Sequence, residues 1–152
     1  MARPMTSNDA GNATATHRHP SQWLALIVGL AFTGAGIAGF FVTGFDQFAD
    51  RDTGETLFGL EINGLHNVVH LIIGLAGLAL WRTRQGARTY GWLLAIGYGA
   101  AFVYGLFAVD EEDINILSLN DADNWFHLAS ALVGLVIALW PNRRDDGDRV
   151  RA

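Results

Sequence analysis

His66 and His70 stand four residues apart, and so do Asp123 and His127. On a helix this spacing puts both members of each pair on one face. Each pair brackets an asparagine, in the motifs Leu65-His66-Asn67-x-x-His70-Leu71 and Ala122-Asp123-Asn124-x-x-His127-Leu128. Three chemistries suit these residue types. In the first, His66, His70, Asp123 and His127 bind a metal. Three imidazoles and a carboxylate form a donor set for tetrahedral zinc, for copper(II) or for another borderline divalent ion. Asn67 and Asn124 would then orient the ligands from behind. In the second, His70 and His127 are the two axial ligands of a b-type haem, with nearby glycines making room for the ring. In the third, the residues hold only each other. Asn63 and Asn120 cap two helices, and Asp123 falls at a third helical position, where a carboxylate favours the helix start. Asn67, His70, Asn124 and His127 then form a hydrogen-bonded clasp with neutral imidazoles. Asp123 in place of a second His66 leans toward the metal, because a clasp needs only a symmetric pair. No Ser-His-Asp set can be assembled at one depth, so no catalytic residue is assigned.

The elements that must carry these motifs are apolar and long. Of 152 residues, 51% are hydrophobic and 16% charged, against roughly 25% charged in soluble domains. Mean hydropathy is +0.23. Residues 23–45, 65–81, 90–109 and 125–140 contain no Asp, Glu, Lys or Arg. A helix crossing a ~30 Å hydrocarbon core needs about 20 residues, with roughly 17 sufficient. Counting the polar starts of the second and fourth, the spans become about 23–45, 64–81, 90–109 and 122–140. The reading is an all-α integral membrane four-helix bundle over residues 22–141, between polar tails 1–21 and 142–152. The first span is too long for the apolar segment of a signal peptide, about 7–15 residues. A soluble enzyme is excluded by composition. Nucleic-acid binding is excluded by a net charge of −5 and the lack of a basic face. Without cysteine there are no disulfides, thiolate sites or iron–sulfur clusters.

Charge orients the bundle. Arg3 and Arg18, then Arg82, Arg84 and Arg88, then Arg143, Arg144, Arg149 and Arg151 fall on one side, and only Arg51 on the other. The positive-inside rule puts both termini in the cytoplasm. Trp23, Trp81, Trp92 and Trp140 mark the same side, as an aromatic belt does. The other side carries eleven of the fifteen acidic residues, including Asp110, Glu111, Glu112 and Asp113. That run lacks the EF-hand spacing and reads as a solvated loop. At 1.5 Å per residue, His70 lies roughly 16 Å from Trp81 and His127 roughly 20 Å from Trp140, in the outer half of the membrane. Polar residues at that depth are costly and mark a pathway, a ligand site or an interhelical lock. His17-Arg18-His19 has metal-binding types but belongs to the polar tail. Tyr98 and Tyr104 read as packing and interhelical hydrogen-bonding residues. Ala35/Gly39, Ala101/Gly105 and Ser130/Gly134 are small-xxx-small pairs that let helices approach closely. They favour a tight bundle within one chain over a homo-oligomer formed through the first or third helix.

The chain also repeats itself. Residues 60–80 align without gaps to 117–137 with eight identities in 21 positions, among them Asn63/Asn120, Asn67/Asn124, His70/His127 and Gly77/Gly134. Each copy follows a charge-free helix that starts with Trp. This predicts two helical hairpins related by an axis along the membrane normal, with the second and fourth helices side by side around it. The two His/Asn motifs, together with the stretch 57–81, resemble an uncharacterised family of bacterial four-helix membrane proteins catalogued as domain-of-unknown-function family 4383. The likeness covers about residues 22–140. It implies the fold and a multi-pass location in a bacterial plasma membrane, and it supplies no reaction. The resulting expectation is a small accessory or partner-binding membrane module with the clasp in its outer half, its partners the bilayer and a second copy or another membrane protein. The alternative is a membrane protein binding zinc, copper or haem b through the paired motifs.

Overall fold

A computed structural model describes residues 18–46 and 48–141. Arg3, His17, Arg143, Arg144, Arg149 and Arg151, and with them most of both tails, lie outside the described residues. The chain folds into four helices: α1 (Pro20–Thr43), α2 (Gly64–Leu80), α3 (Arg84–Ala108) and α4 (Asp121–Leu139). Three of them, α1, α3 and α4, are long and apolar enough to cross a membrane, and α2 is a shorter apolar helix of 17 residues.

Local chemistry explains where each helix starts. His19 caps α1: its ring nitrogen accepts from the Ser21 N–H, Gln22 completes a capping box, and Pro20 occupies the first turn, where its missing N–H costs nothing. His19 thus serves as a cap, while His17, its companion in the tail motif, lies outside the described residues. Asn63 Oδ1 accepts from the His66 N–H and Asn120 Oδ1 from the Asp123 N–H, as expected of both asparagines. α3 starts at Arg84, six residues ahead of its apolar span, because the Thr83 hydroxyl accepts from the Gly86 N–H. Helix ends are closed from neighbouring helices. Gln22 Nε2 donates to the Trp81 and Arg82 carbonyls beyond α2, and Arg88 Nε donates to the Ala138 carbonyl of α4. These satisfy carbonyls that a helix leaves unpaired at its C-terminus.

Between α1 and α2 lies a small two-stranded hairpin that the all-helical reading does not include. β1 (Thr56–Leu57) pairs antiparallel with β2 (Leu60–Glu61), and Phe58 and Gly59 turn with φ of 56° and 85°. Positive φ at both central residues is the geometry that matches the twist of paired strands. On the same side of the molecule, the Tyr104 hydroxyl donates to the Ile114 carbonyl and accepts from the Ile116 N–H, pinning the α3–α4 loop.

α1 packs along α2, and α3 along α4. Glycine makes these approaches possible. A Cβ on Gly77 would stand 2.8 Å from Gly29 Cα, and one on Gly134 would stand 2.5 Å from the Ala95 nitrogen. Across the two pairs, α1 touches α3 and α4, and α2 touches α3. The expected side-by-side packing of the second and fourth helices does not occur: no Cα of α2 lies within 8 Å of one of α4. The centre is filled instead by α1 and α3, whose Phe32 and Tyr98 rings stack at 5.0 Å. At the polar ends of α2 and α4, His66 comes within 4.0 Å of Asp123 and its ring within 6.1 Å of that of His127. Large apolar side chains such as Ile27, Phe41, Ile72, Ile96, Phe107 and Leu132 face outward on all four helices.

Candidate metal centre

The two polar motifs meet at the buried end of the bundle. His66 is 2% exposed, His70 3%, His127 2% and Asp123 0%. Backbone groups hold them. His66 Nδ1 lies 3.2 Å from the Leu117 carbonyl oxygen, so it carries the proton and donates there. Asp123 Oδ2 accepts from the backbone N–H of Glu61 at 3.1 Å and of Asn120 at 3.0 Å. These bonds orient Asp123 and leave its other oxygen, Oδ1, with no hydrogen-bond partner among the described residues. That oxygen stands 4.0 Å from His66 Nε2. One donor atom each from His66, Asp123 and His127 lies within 4.8 Å of the others. His127 Nδ1 is also unpartnered.

The structure therefore brings three of the four sequence-derived ligands into one cluster. The fourth, His70, stacks edge-on against His66 with ring centroids 4.5 Å apart, but lies outside the cluster. Tyr98 forms a wall, its ring 5.3 Å from that of His127. Both Tyr98 and Tyr90 have buried hydroxyls with no partner among the described residues, so Tyr98 packs without the expected interhelical bond.

The two asparagines behave differently from the clasp reading. Asn67 Nδ2 donates to the Thr43 hydroxyl at 3.0 Å, and its amide fills the space left by Gly39. Asn124 fills the space left by Gly105. Its amide is oriented to donate to the Phe102 carbonyl (3.1 Å) and accept from the Leu106 N–H (3.2 Å). Each asparagine thus ties its own helix to the preceding one. No hydrogen bond joins Asn67, His70, Asn124 and His127 to one another among the described residues, because α2 and α4 stand too far apart. The same placement means that neither asparagine supports a metal ligand from behind. Gly39 and Gly105, read from the sequence as helix-approach positions, are used inside the chain as sockets for these amides.

The haem reading meets a volume limit. The cavity lined by His66, His70 and His127 holds about 90 Å³. Sites for drug-sized molecules span about 300–1,000 Å³, and a porphyrin does not fit between these rings without opening the bundle. A single ion does fit. Ligands on tetrahedral zinc, each at ~2.0–2.2 Å, stand roughly 3.4 Å apart, so the donor atoms, which lie within 4.8 Å of one another, would have to draw together around an ion.

Several contacts were hidden from sequence reasoning. Glu61 and Leu117 contribute backbone atoms, which carry no residue signature. The repeat held the one available clue, since both lie in its lead-in segments. Above the cluster is a polar depression of about 320 Å³, lined by Asp52, Glu61, Asp110, Glu112 and Asp121, with Arg51 the one cationic side chain lining it among the described residues. Glu61 and Asn120 form part of this depression and also bond Asp123.

A family model described as Domain of unknown function (DUF4383) matches residues 22–140. No curated protein and no solved structure matches the chain.

Proposed function

The chain belongs to this family of unknown function, and from that starting point we propose that it is a multi-pass membrane protein holding a divalent transition-metal ion, zinc or copper(II), between His66, Asp123 and His127. The observation that carries the reading is a set of buried lone pairs with nothing else to bind. Asp123 Oδ1 and His127 Nδ1 are both buried without a partner among the described residues, and His66, Asp123 and His127 each bring one donor atom within 4.8 Å of the others. A buried polar atom left unsatisfied costs about 1–3 kcal/mol, and more for a charged one. A cation among them removes that cost, and an imidazole–carboxylate set suits borderline metals. The acidic depression above Asp123 supplies a field that gathers cations at the mouth. Elemental analysis of the detergent-purified protein tests this reading. Close to one zinc or copper per chain is expected, with a melting temperature that rises on adding metal and falls on chelation. A metal-free protein indifferent to both would end the reading.

Membrane embedding is supported by the large apolar side chains exposed on every helix, a surface that water-soluble bundles rarely present. Two repeated hairpins are supported by reciprocal contacts at positions that the repeat matches. Asn63 Nδ2 donates to the Ile116 carbonyl and Asn120 Nδ2 to the Gly59 carbonyl. The Ser118 hydroxyl donates to Glu61 Oε1, two residues that the repeat superposes. His66 and Asp123 are superposed in the same way, so the metal would sit on the pseudo-twofold axis.

Cytoplasmic termini are supported by Arg18, which stacks over Trp81 at 4.3 Å beside Trp23, at the end of the bundle where Arg82 and Arg84 also lie. The acidic depression is then external. Single cysteines at exposed positions of this cysteine-free chain read the topology directly. In intact cells, an impermeant thiol reagent is expected to label Glu112→Cys and to spare Gln85→Cys. Labelling at position 85 would reverse the orientation.

A further inference from the structure

A crevice of about 320 Å³ lies between α1 and α4 beneath the β1–β2 hairpin, separate from the acidic depression. Its size is that of a small-molecule site. Ala31, Phe32 and Ala35 of α1 face Phe126 of α4, with the buried Ile62 at one end and Phe58, 91% exposed, at the rim. All of its lining is apolar except one side chain, His70. That imidazole is 3% exposed, and neither of its ring nitrogens has a hydrogen-bond partner among the described residues. It is not needed by the three-residue cluster, which closes without it. A leucine at position 70 would pack among these neighbours with no polar atom to satisfy. The imidazole therefore calls for a ligand that reaches it.

The walls restrict what that ligand is. Phe32 stands 5.3 Å from the His70 ring and 5.7 Å from that of Phe126, so three flat rings form a corner. Aromatic faces at such separations favour offset or edge-on contact with another flat ring. An acyl chain would fill the space but leave both His70 nitrogens unpaired. A neutral imidazole offers one donor and one acceptor. It matches a ring oxygen that accepts as a carbonyl and donates as a hydroxyl. We propose that the α1–α4 crevice binds a quinone from the bilayer, its ring among Phe32, Phe58 and Phe126 and one of its oxygens hydrogen-bonded to His70. Entry from the bilayer rests on the membrane reading given above; it does not rest on the metal.

The test uses the full-length protein in detergent with decylubiquinone as probe and decylbenzene, which lacks the oxygens, as comparison. Saturable binding of decylubiquinone is expected, at least several-fold tighter than that of decylbenzene. His70→Leu keeps the apolar bulk and removes the hydrogen bond, and is expected to weaken quinone binding about five- to tenfold. Ala35→Phe fills the crevice and is expected to abolish saturable binding. Ala35→Phe, which lies away from the cluster, should keep the zinc-dependent rise in melting temperature, which separates this site from the metal centre. Equal affinity for decylubiquinone and decylbenzene in the wild type would overturn the proposal even if a variant fails to fold. So would saturable binding that survives in a folded Ala35→Phe protein, or a folded His70→Leu protein that binds the quinone as tightly as the wild type. Loss of the zinc effect in the wild type with quinone binding intact would sink the metal reading and leave this one standing.

Discussion

Asp123→Asn is expected to remove most of the stabilisation by zinc while leaving the fold intact. The substitution is mild for the backbone. An asparagine oxygen placed where Oδ2 now lies still accepts from the Glu61 and Asn120 N–H groups, so the α4 cap survives. What changes is the other atom. Oδ1, which faces His66 Nε2 at 4.0 Å without a partner, becomes an amide nitrogen that cannot ligate a metal. Zinc at 100 times the dissociation constant stabilises the wild type by about 2.7 kcal/mol. For a chain of this length that corresponds to roughly 5–11 °C in melting temperature. If losing the anionic ligand weakens binding about 100-fold, the same zinc concentration adds only about 0.4 kcal/mol, or roughly 1–2 °C. Thermal unfolding in detergent with and without zinc measures both. An undiminished shift in Asp123→Asn would mean that the ion, if bound, sits elsewhere. A large loss of stability without zinc would mean that the carboxylate serves the cap alone.

Gly134→Ala is expected to destabilise the bundle strongly, whereas Gly34→Ala is expected to be neutral or slightly stabilising. The two glycines look alike in the sequence, each inside an apolar helix. A Cβ on Gly134 would stand 2.5 Å from the Ala95 nitrogen and 2.8 Å from the Gly91 oxygen, both backbone atoms that cannot swing aside. On Gly34 it would meet nothing within 4 Å. Forcing α3 and α4 apart costs about 1–3 kcal/mol for overpacking, or roughly 2–12 °C in melting temperature. At Gly34 the reduced freedom of the unfolded chain works the other way, by about 0.4–1 kcal/mol. Gly91→Ala should resemble Gly134→Ala, since its Cβ would stand 2.5 Å from the Ala138 nitrogen. A Gly134→Ala protein that melts with the wild type would show that the helices adjust at no cost.

The sequence by itself determined the four helices, though not the β1–β2 hairpin between the first two. Uninterrupted apolar runs announced the helices, because a charge inside any of them would carry a heavy solvation cost in a membrane. Asn63 and Asn120 announced two helix starts, because a capping side chain acts on the N–H three residues ahead, a purely local event. The i, i+4 pairs and the repeat placed His66 and Asp123 at matching depth. Distances between helices were another matter. Nothing local says whether α2 or α1 lies nearer the centre. That is set by which faces can approach, and the stacked Phe32 and Tyr98 with the close α1–α2 and α3–α4 packing leave α2 and α4 apart. From that one outcome follow the fates of the polar residues. Asn67 and Asn124 turn to the sockets at Gly39 and Gly105 and do not reach each other. His66, Asp123 and His127 converge across the gap. His70, identical in motif to His127, is left beside an apolar crevice, because the hairpin after α1 and the α3–α4 loop enclose the two copies differently. A periodic pattern can state what a residue is and on which face it lies, but its partner comes from elements distant in the chain, and only their packing decides which one that is.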